Sequence, residues 1–458
     1  MPIFGDEAYV LSKKYTDLRV NDLDGNKIYG AYWDKGENPA LARTHDAVGM
    51  NAAIGIDGLY AQNDFDNAQI FREIGTIIDT LGNVFIRIPK FYIKKTDGAG
   101  FKTWQISKTQ YPGFYLPWCF WDFTNSKELP YIDVGKYKAT LGAGDKLESK
   151  SGGYPLINKT IVDFRTYARN NNAGGLQGYQ QLDVHVVDVL QTLMFIEFAT
   201  LNIQTVMRGY ADAQWETIHV ATVAESGVNR IIIANAYANL YRVGQAISVG
   251  TTQGGNQVFY GRTITSIEVY DASNKAIYFD GAPVNIAVGN MLYNTAWKNG
   301  FSSGIAASSG CIVANDGLYP CAWRGIESPY SDIWQFVDGL NVNERRAWVC
   351  KNAEQYVSNV FASPYEQLSY TNATAEGYAR AMGYDSNFPF AEFPTVVTGA
   401  SESTYYSDYY YQAAGQRIAC FGGRWYVGSG AGPSYWNLSY ASSYAGVVIG
   451  GRLLKKPL

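Results

Sequence analysis

The run from Val184 to Thr200 leaves the chain few ways to fold. Val184, Val187, Leu190, Leu193, Met194, Ile196 and Phe198 occupy most of a helix circumference, and a helix that is apolar nearly all round belongs in an interior or a membrane. Asp188, Gln191 and Glu197 interrupt it, whereas a spanning helix needs about 20 mostly apolar residues. The run therefore predicts a buried helix and no membrane insertion. Asp183 stands before it as an N-cap. A second helix is marked by Ile161, Phe164, Arg165 and Ala168 at i, i+3, i+4 and i+7, so one domain core packs around these two helices.

Strand signals surround them. Val84–Ile88, Phe91–Lys95 and Thr103–Ser107 read as strands, the last two joined by a turn at Asp97-Gly98, and Asp24-Gly25 reads as a hairpin in the N-terminal region. From Glu216 to Tyr293 the texture becomes β-branched alternation with Gly and Asn turns, which predicts a small inserted barrel or sandwich. No period of about 20 to 50 residues recurs, which disfavours a solenoid or propeller. The 458 residues divide, on this reading, into a β-rich N-terminal region at 1–82, the first part of a mixed domain at 83–215, the β insertion at 216–293 and the second part of the domain at 294–458. The fold class is α+β.

Several chemistries find little support. With 37 Lys and Arg against 41 Asp and Glu, no basic field exists to hold a phosphate backbone, and nucleic acid is excluded as a partner. Five scattered cysteines (Cys119, Cys311, Cys321, Cys350 and Cys420) form no C-x-x-C pair and read as buried free thiols. The three histidines, His45, His185 and His219, form no helical metal pair and read as structural. Asp22–Asn26 departs from a calcium loop, with Trp33 where a bidentate Glu should stand, and Asn63–Asn67 reads as a turn stabilised by local hydrogen bonds. Gly428–Gly432 lacks the Lys-Ser/Thr end of a phosphate loop and reads as a flexible surface loop. Glu197 is either a buried acid with a role or the partner of an arginine such as Arg324 or Arg452. No catalytic residue, metal ligand or cofactor is assigned. The N-terminal residues Met-Pro-Ile-Phe-Gly-Asp-Glu do not read as a secretory signal.

The remaining signal is C-terminal. Trp425–Tyr444 contains no Lys, Arg, Asp or Glu and is built from Tyr, Trp, Ser, Gly and Asn, the vocabulary of an antibody paratope. A related patch, Tyr405–Tyr411, precedes it, and exposed aromatic patches mark interaction sites.

These segments sit in a recognisable order. Trp323-Arg324-Gly325-Ile326-Glu327 through Trp334-Gln335-Phe336-Val337-Asp338-Gly339 resembles the "R-G-x-E-N … W-E-W-V-x-D" segment of the formylglycine-generating-enzyme branch of the C-type lectin fold. Gly422-Gly423-Arg424-Trp425 through Gly450-Gly451-Arg452 resembles the closing "G-G-S-W … G-F-R" of that branch. Similar endings occur in the variable proteins of diversity-generating retroelements, including tropism determinants of tailed phages. Tyr32-Trp33-Asp34, Leu41–Ala47, Ile88–Tyr92 and Leu193–Gln204 look like segments of phage tail and baseplate proteins.

The resemblance implies a C-type lectin-like fold displaying a ligand-binding surface, often as a homotrimer. The protein would be a receptor-binding protein of a phage tail or baseplate, located in the virion, whose partners are a bacterial cell-surface protein or glycan and other tail proteins. By position, the display residues are Trp425, Tyr426, Ser429, Ala431, Ser434, Tyr435, Asn437, Ser439, Tyr440, Ser442, Ser443 and Tyr444, joined by Trp436 and by Tyr405, Tyr406 and Tyr409. Retroelement mutagenesis of Asn codons yields Tyr, Ser, Asn, Gly and Ala but not Trp, so Trp425 and Trp436 read as fixed positions. Two alternatives are an oxidase of the formylglycine-generating type, for which only Cys420 is at hand in the C-terminal part, and a structural baseplate protein without receptor contact.

Overall fold

The buried helix spans Val184–Phe198 in the computed structural model, which describes residues 26–458. The Asp24-Gly25 hairpin and the start of the Asp22–Asn26 loop lie outside the described residues. Asp183 caps the helix by accepting the Val186 amide at 2.9 Å, and every helical residue except Gln191 is buried. Ala199 ends it in the left-handed region at φ 51°. The shorter helix, Ile161–Arg169, opens with a reciprocal capping box between Thr160 and Asp163. It buries Ile161, Phe164, Arg165 and Ala168, the four residues that mark its period.

The architecture is mostly β sheet with a few helices, compatible with an α+β class. One four-stranded sheet runs Ala42–His45, Ile28–Trp33, Lys102–Ser107, Tyr92–Asp97. A five-stranded sheet runs Tyr179–Gln181, Leu453–Lys455, Tyr131–Gly135, Val84–Pro89, Gly75–Ile78. The last strand of the chain thus lies between strands from its first half. The C-terminal sheet centres on Trp334–Asn343, which pairs with Gln416–Phe421 and with Arg346–Val349 and runs parallel to Ile449–Gly450. A single apolar core joins the buried helix to all three sheets, from Tyr29 through Trp104, Phe195 and Val337 to Leu454.

Residue 82 is not the boundary that the sequence suggests. Gly75–Ile78 forms a hairpin with Val84–Pro89, and Ile28–Trp33 pairs along its length with Lys102–Ser107. The N-terminal strands are integral to the main body because their ladder partners lie beyond that point.

The segment from Val220 to Asn294 forms its own sheet, in the order Arg230–Ala234, Asn274–Phe279, Gly255–Val269, Ala246–Thr252, Met291–Asn294. Bridges Val220↔Met291 and Ala221↔Ile233 join the two edge strands and close the sheet into a small barrel. Ile231, Ile247, Phe259, Ile277 and Leu292 fill it. Its feet are tied together, since the Asn294 amide donates to the Gln214 carbonyl at 2.9 Å and the Gln214 amide to Asn294 Oδ1 at 2.8 Å. Among the described residues no helix is long and apolar enough to cross a membrane.

Candidate functional site

The charged residues of the Trp323–Gly339 segment are spent inside the protein. Arg324 donates to both oxygens of Glu197, at 2.7 and 3.0 Å, and the same carboxylate accepts from Trp323 Nε1 at 2.8 Å and Asn63 Nδ2 at 2.7 Å. The Asn63–Asn67 turn therefore serves this network, with Asp66 also 3.3 Å from Arg324. Asp338 receives a two-pronged bond from Arg165, both contacts at 2.7 Å. Glu327 accepts the Gly300 and Ser302 amides, and burial raises its carboxyl pKa. Among the described residues Arg452 has no carboxylate partner. It bonds Gln335 Oε1 at 2.8 Å and four backbone carbonyls, and burial lowers its guanidinium to about 9.

The sixteen expected display residues separate into two groups. Trp425, Ala431, Ser434, Tyr435, Trp436, Asn437, Tyr405 and Tyr406 are buried and form no display surface. Trp436–Leu438 is an interior strand between Tyr409–Gln412 and Gln416–Phe421, with the Trp436 ring against Phe393 and Phe421. Tyr435, 6% exposed, packs edge-on to Trp334 with ring centroids 4.6 Å apart. Tyr405 and Tyr406 enclose Trp33. A charge-free aromatic segment suits an interior strand as well as it suits a paratope, because burying it leaves no ionised group to compensate. The Gly428–Gly432 loop is likewise not a free surface loop. Gln204 Nε2 donates to the carbonyls of Ser429 and Ala431, and Asp408 accepts the Ser434 amide at 2.6 Å.

The second group is accessible: Tyr409, Tyr426, Ser429, Ser439, Tyr440, Ser442 and Tyr444 are half-buried and Ser443 is exposed. Tyr440 and Tyr444 stack at 4.0 Å. Tyr426 stacks on Trp215 at 4.9 Å with the rings 5° from parallel. Tyr409 packs edge-on to Tyr378, whose hydroxyl meets Ser429 Oγ at 2.9 Å.

Arg424 completes the cluster. Its guanidinium lies 4.2 Å from the Tyr426 ring centre, and its charge reaches Tyr426, Tyr435 and Tyr440. Burial pushes the Tyr426 phenol up to about 12 and raises Tyr409 and Tyr440, so the hydroxyls stay protonated. The tight turn before Arg424 needs glycine. Gly422 and Gly423 have φ of 92° and 97°, and a Cβ on Gly423 would stand 2.7 Å from that of Ala431.

Sequence reading missed Trp215, Tyr378 and Arg424. Arg424 falls one residue before the charge-free window, and it stands where the "G-G-S-W" pattern has serine, which is the signal that marks it. Nothing local marks Trp215, which converges from the far side of the β insertion.

Other candidates are less able to act. Cys420 is fully buried in its strand and burial pushes its thiol up, whereas an oxidase of the formylglycine-generating type would need an accessible thiolate. All five cysteines are free and buried. His45 is exposed at a strand end, His185 meets the Cys350 carbonyl and His219 meets the Tyr241 hydroxyl, so the three do not converge. Among the described residues no three His, Cys, Asp or Glu side chains are placed to hold a metal ion. A cleft of about 530 Å³ lined by Trp121, Arg169, Tyr179 and Lys456 includes none of the sixteen residues. Its cations are committed, Arg169 to the Ala353 and Tyr356 carbonyls and Lys456 to those of Trp118 and Trp121. No protein-family model matches the chain, and no curated protein matches it in sequence.

Proposed function

We propose that the chain is a receptor-binding protein of a bacteriophage tail or baseplate, with a C-type lectin-like domain over 83–215 and 294–458, that holds a bacterial surface ligand on the face carrying Tyr409, Tyr426, Tyr440 and Tyr444. The observation supporting this reading most is that these large rings stay partly in water while Arg424, against Tyr426 and within reach of Tyr440, has no counter-charge among the described residues. An arginine left without a counter-charge adds little to folding, and aromatic anchors beside arginine are the usual makings of a binding hot spot. A homotrimer would repeat the face three times and raise weak contacts to firm attachment by avidity. Ser439, Ser442, Ser443 and Tyr444, in the accessible stretch that follows the interior strand, are then the positions where retroelement diversification changes specificity without entering that strand.

The test is adsorption of the labelled protein to a panel of whole bacteria. Tyr440→Ala/Tyr444→Ala should abolish adsorption to whichever cells retain the parent protein, while the variant still melts cooperatively, somewhat lower because both rings pack on the core. Undiminished adsorption contradicts the proposal. Tyr435 and Trp436 are unsuitable for this purpose, because replacing them opens the interior.

A further inference from the structure

We propose that the tyrosine face takes a carboxylated saccharide, with Arg424 as the residue that holds its carboxylate; this rests on the receptor-binding reading above. Among the described residues the Arg424 guanidinium has no carboxylate and no hydrogen-bond acceptor, and its Nε is buried without a partner. The sealed Nε cannot reach a ligand, but the two Nη groups are not sealed, and the end of a planar guanidinium fork matches a carboxylate with two parallel bonds. The nearby acids are not its partners. Glu402 bonds the Ser429 hydroxyl, and Glu376 lies toward Tyr409 and Tyr435.

The surroundings specify what carries that carboxylate. The phenol hydroxyls of Tyr409, Tyr426, Tyr440 and Tyr444 have no protein partner among the described residues, and they can donate to or accept from sugar hydroxyls. Where these half-buried rings reach solvent, they offer apolar surface to sugar C–H groups. Between residues 409 and 447 no Leu, Ile, Val, Met or Phe is exposed. A peptide partner would need apolar sockets for its side chains, and this face offers rings and hydroxyls instead. The two stacked ring pairs, Tyr440 with Tyr444 and Tyr426 with Trp215, are held by neighbouring rings, so little side-chain freedom is lost on binding.

An array of oligosaccharides bearing glucuronate, galacturonate or sialate, each beside its methyl ester, tests this on the full chain, with hexaglutamate as the peptide control. At least one acid form should be retained, and its ester should bind about 10- to 100-fold more weakly, the range for losing hydrogen bonds to a charged group. Arg424→Gln should abolish the preference for acid over ester. Arg424→Lys, which keeps the charge without the fork, should recover part of it, and both variants should still melt cooperatively, losing only the contact of the guanidinium with the Tyr426 ring. Equal retention of acid and ester, retention of no carboxylated sugar, or hexaglutamate held as tightly as the best saccharide would each overturn the assignment. Whole-cell adsorption run in parallel separates the two readings. Cells that hold the protein while the acid preference is missing remove the ligand class alone, and a protein that no cell retains removes the receptor reading itself.

Discussion

Arg324 Nη2 lies 2.7 Å from Oε1 of Glu197, and both side chains are sealed from solvent. The bond ties the start of the C-terminal segment to the central helix. Removing one partner of a buried pair leaves an uncompensated charge, at about 3–5 kcal/mol. Glu197→Gln and Arg324→Met should each lower stability by that amount in urea unfolding. The double variant should lose clearly less than the sum, and strict additivity would show that the pair is not coupled.

His185 makes the protein acid-sensitive. Its ring is fully buried, and burial lowers its pKa to about 3, with Lys456 and Lys351 adding in the same direction and the bond to the Cys350 carbonyl opposing. The unfolded chain therefore takes up a proton that the fold refuses, so this stability is complete above about 6.5 and is lost as pH falls toward 3. Asp183 and Asp332, which burial pushes up to about 6, run the opposite way: their contribution is present in acid and lost as pH rises through about 6. The variant His185→Phe isolates the histidine. Its urea midpoint should fall less than the parent's between pH 7 and pH 5, and an equal fall in the two proteins would remove His185 as the cause.

The Gly422-Gly423 turn aims Arg424. Gly423→Ala places a side chain at φ 97° and 2.7 Å from the Ala431 Cβ, a strain of about 1–3 kcal/mol. Its melting temperature should drop while Ala431→Gly, which removes the opposing methyl, partly restores it. A variant as stable as the parent would contradict the strained turn.

Local physics accounts for what the sequence reveals. The two helices are legible because period, N-cap and burial agree within one turn, and the Val84–Ser107 strands because alternation and a Gly turn coincide. Glu197 is legible as a partner for arginine because buried charges need one, yet the choice between Arg324 and Arg452 depends on which strand reaches the helix. The eight buried display residues are misread for a different reason. Trp436 in an interior strand, Tyr435 just before it and Tyr440 with Tyr444 beyond its end share one vocabulary, and only the sheet register separates them. Trp215 and Tyr378 join the cluster through tertiary folding alone.

The β insertion has its own core and adjoining feet, the marks of a unit that can fold alone. Residues 214–294 expressed separately, so that the Gln214–Asn294 tie is kept, should show a strand spectrum by circular dichroism and a cooperative melt. A chain without a cooperative transition would mean that the barrel depends on the main body beneath it.

Hydroxyl-radical footprinting of the full protein on cells that retain it tests the central claim most directly. Binding should protect Tyr409, Tyr426, Tyr440 and Tyr444 from oxidation while leaving exposed rings elsewhere, such as Tyr60 and Tyr270, unchanged. Protection confined to other surfaces, with these four tyrosines oxidised as fast as in the free protein, would contradict the assignment of this face as the receptor-binding site.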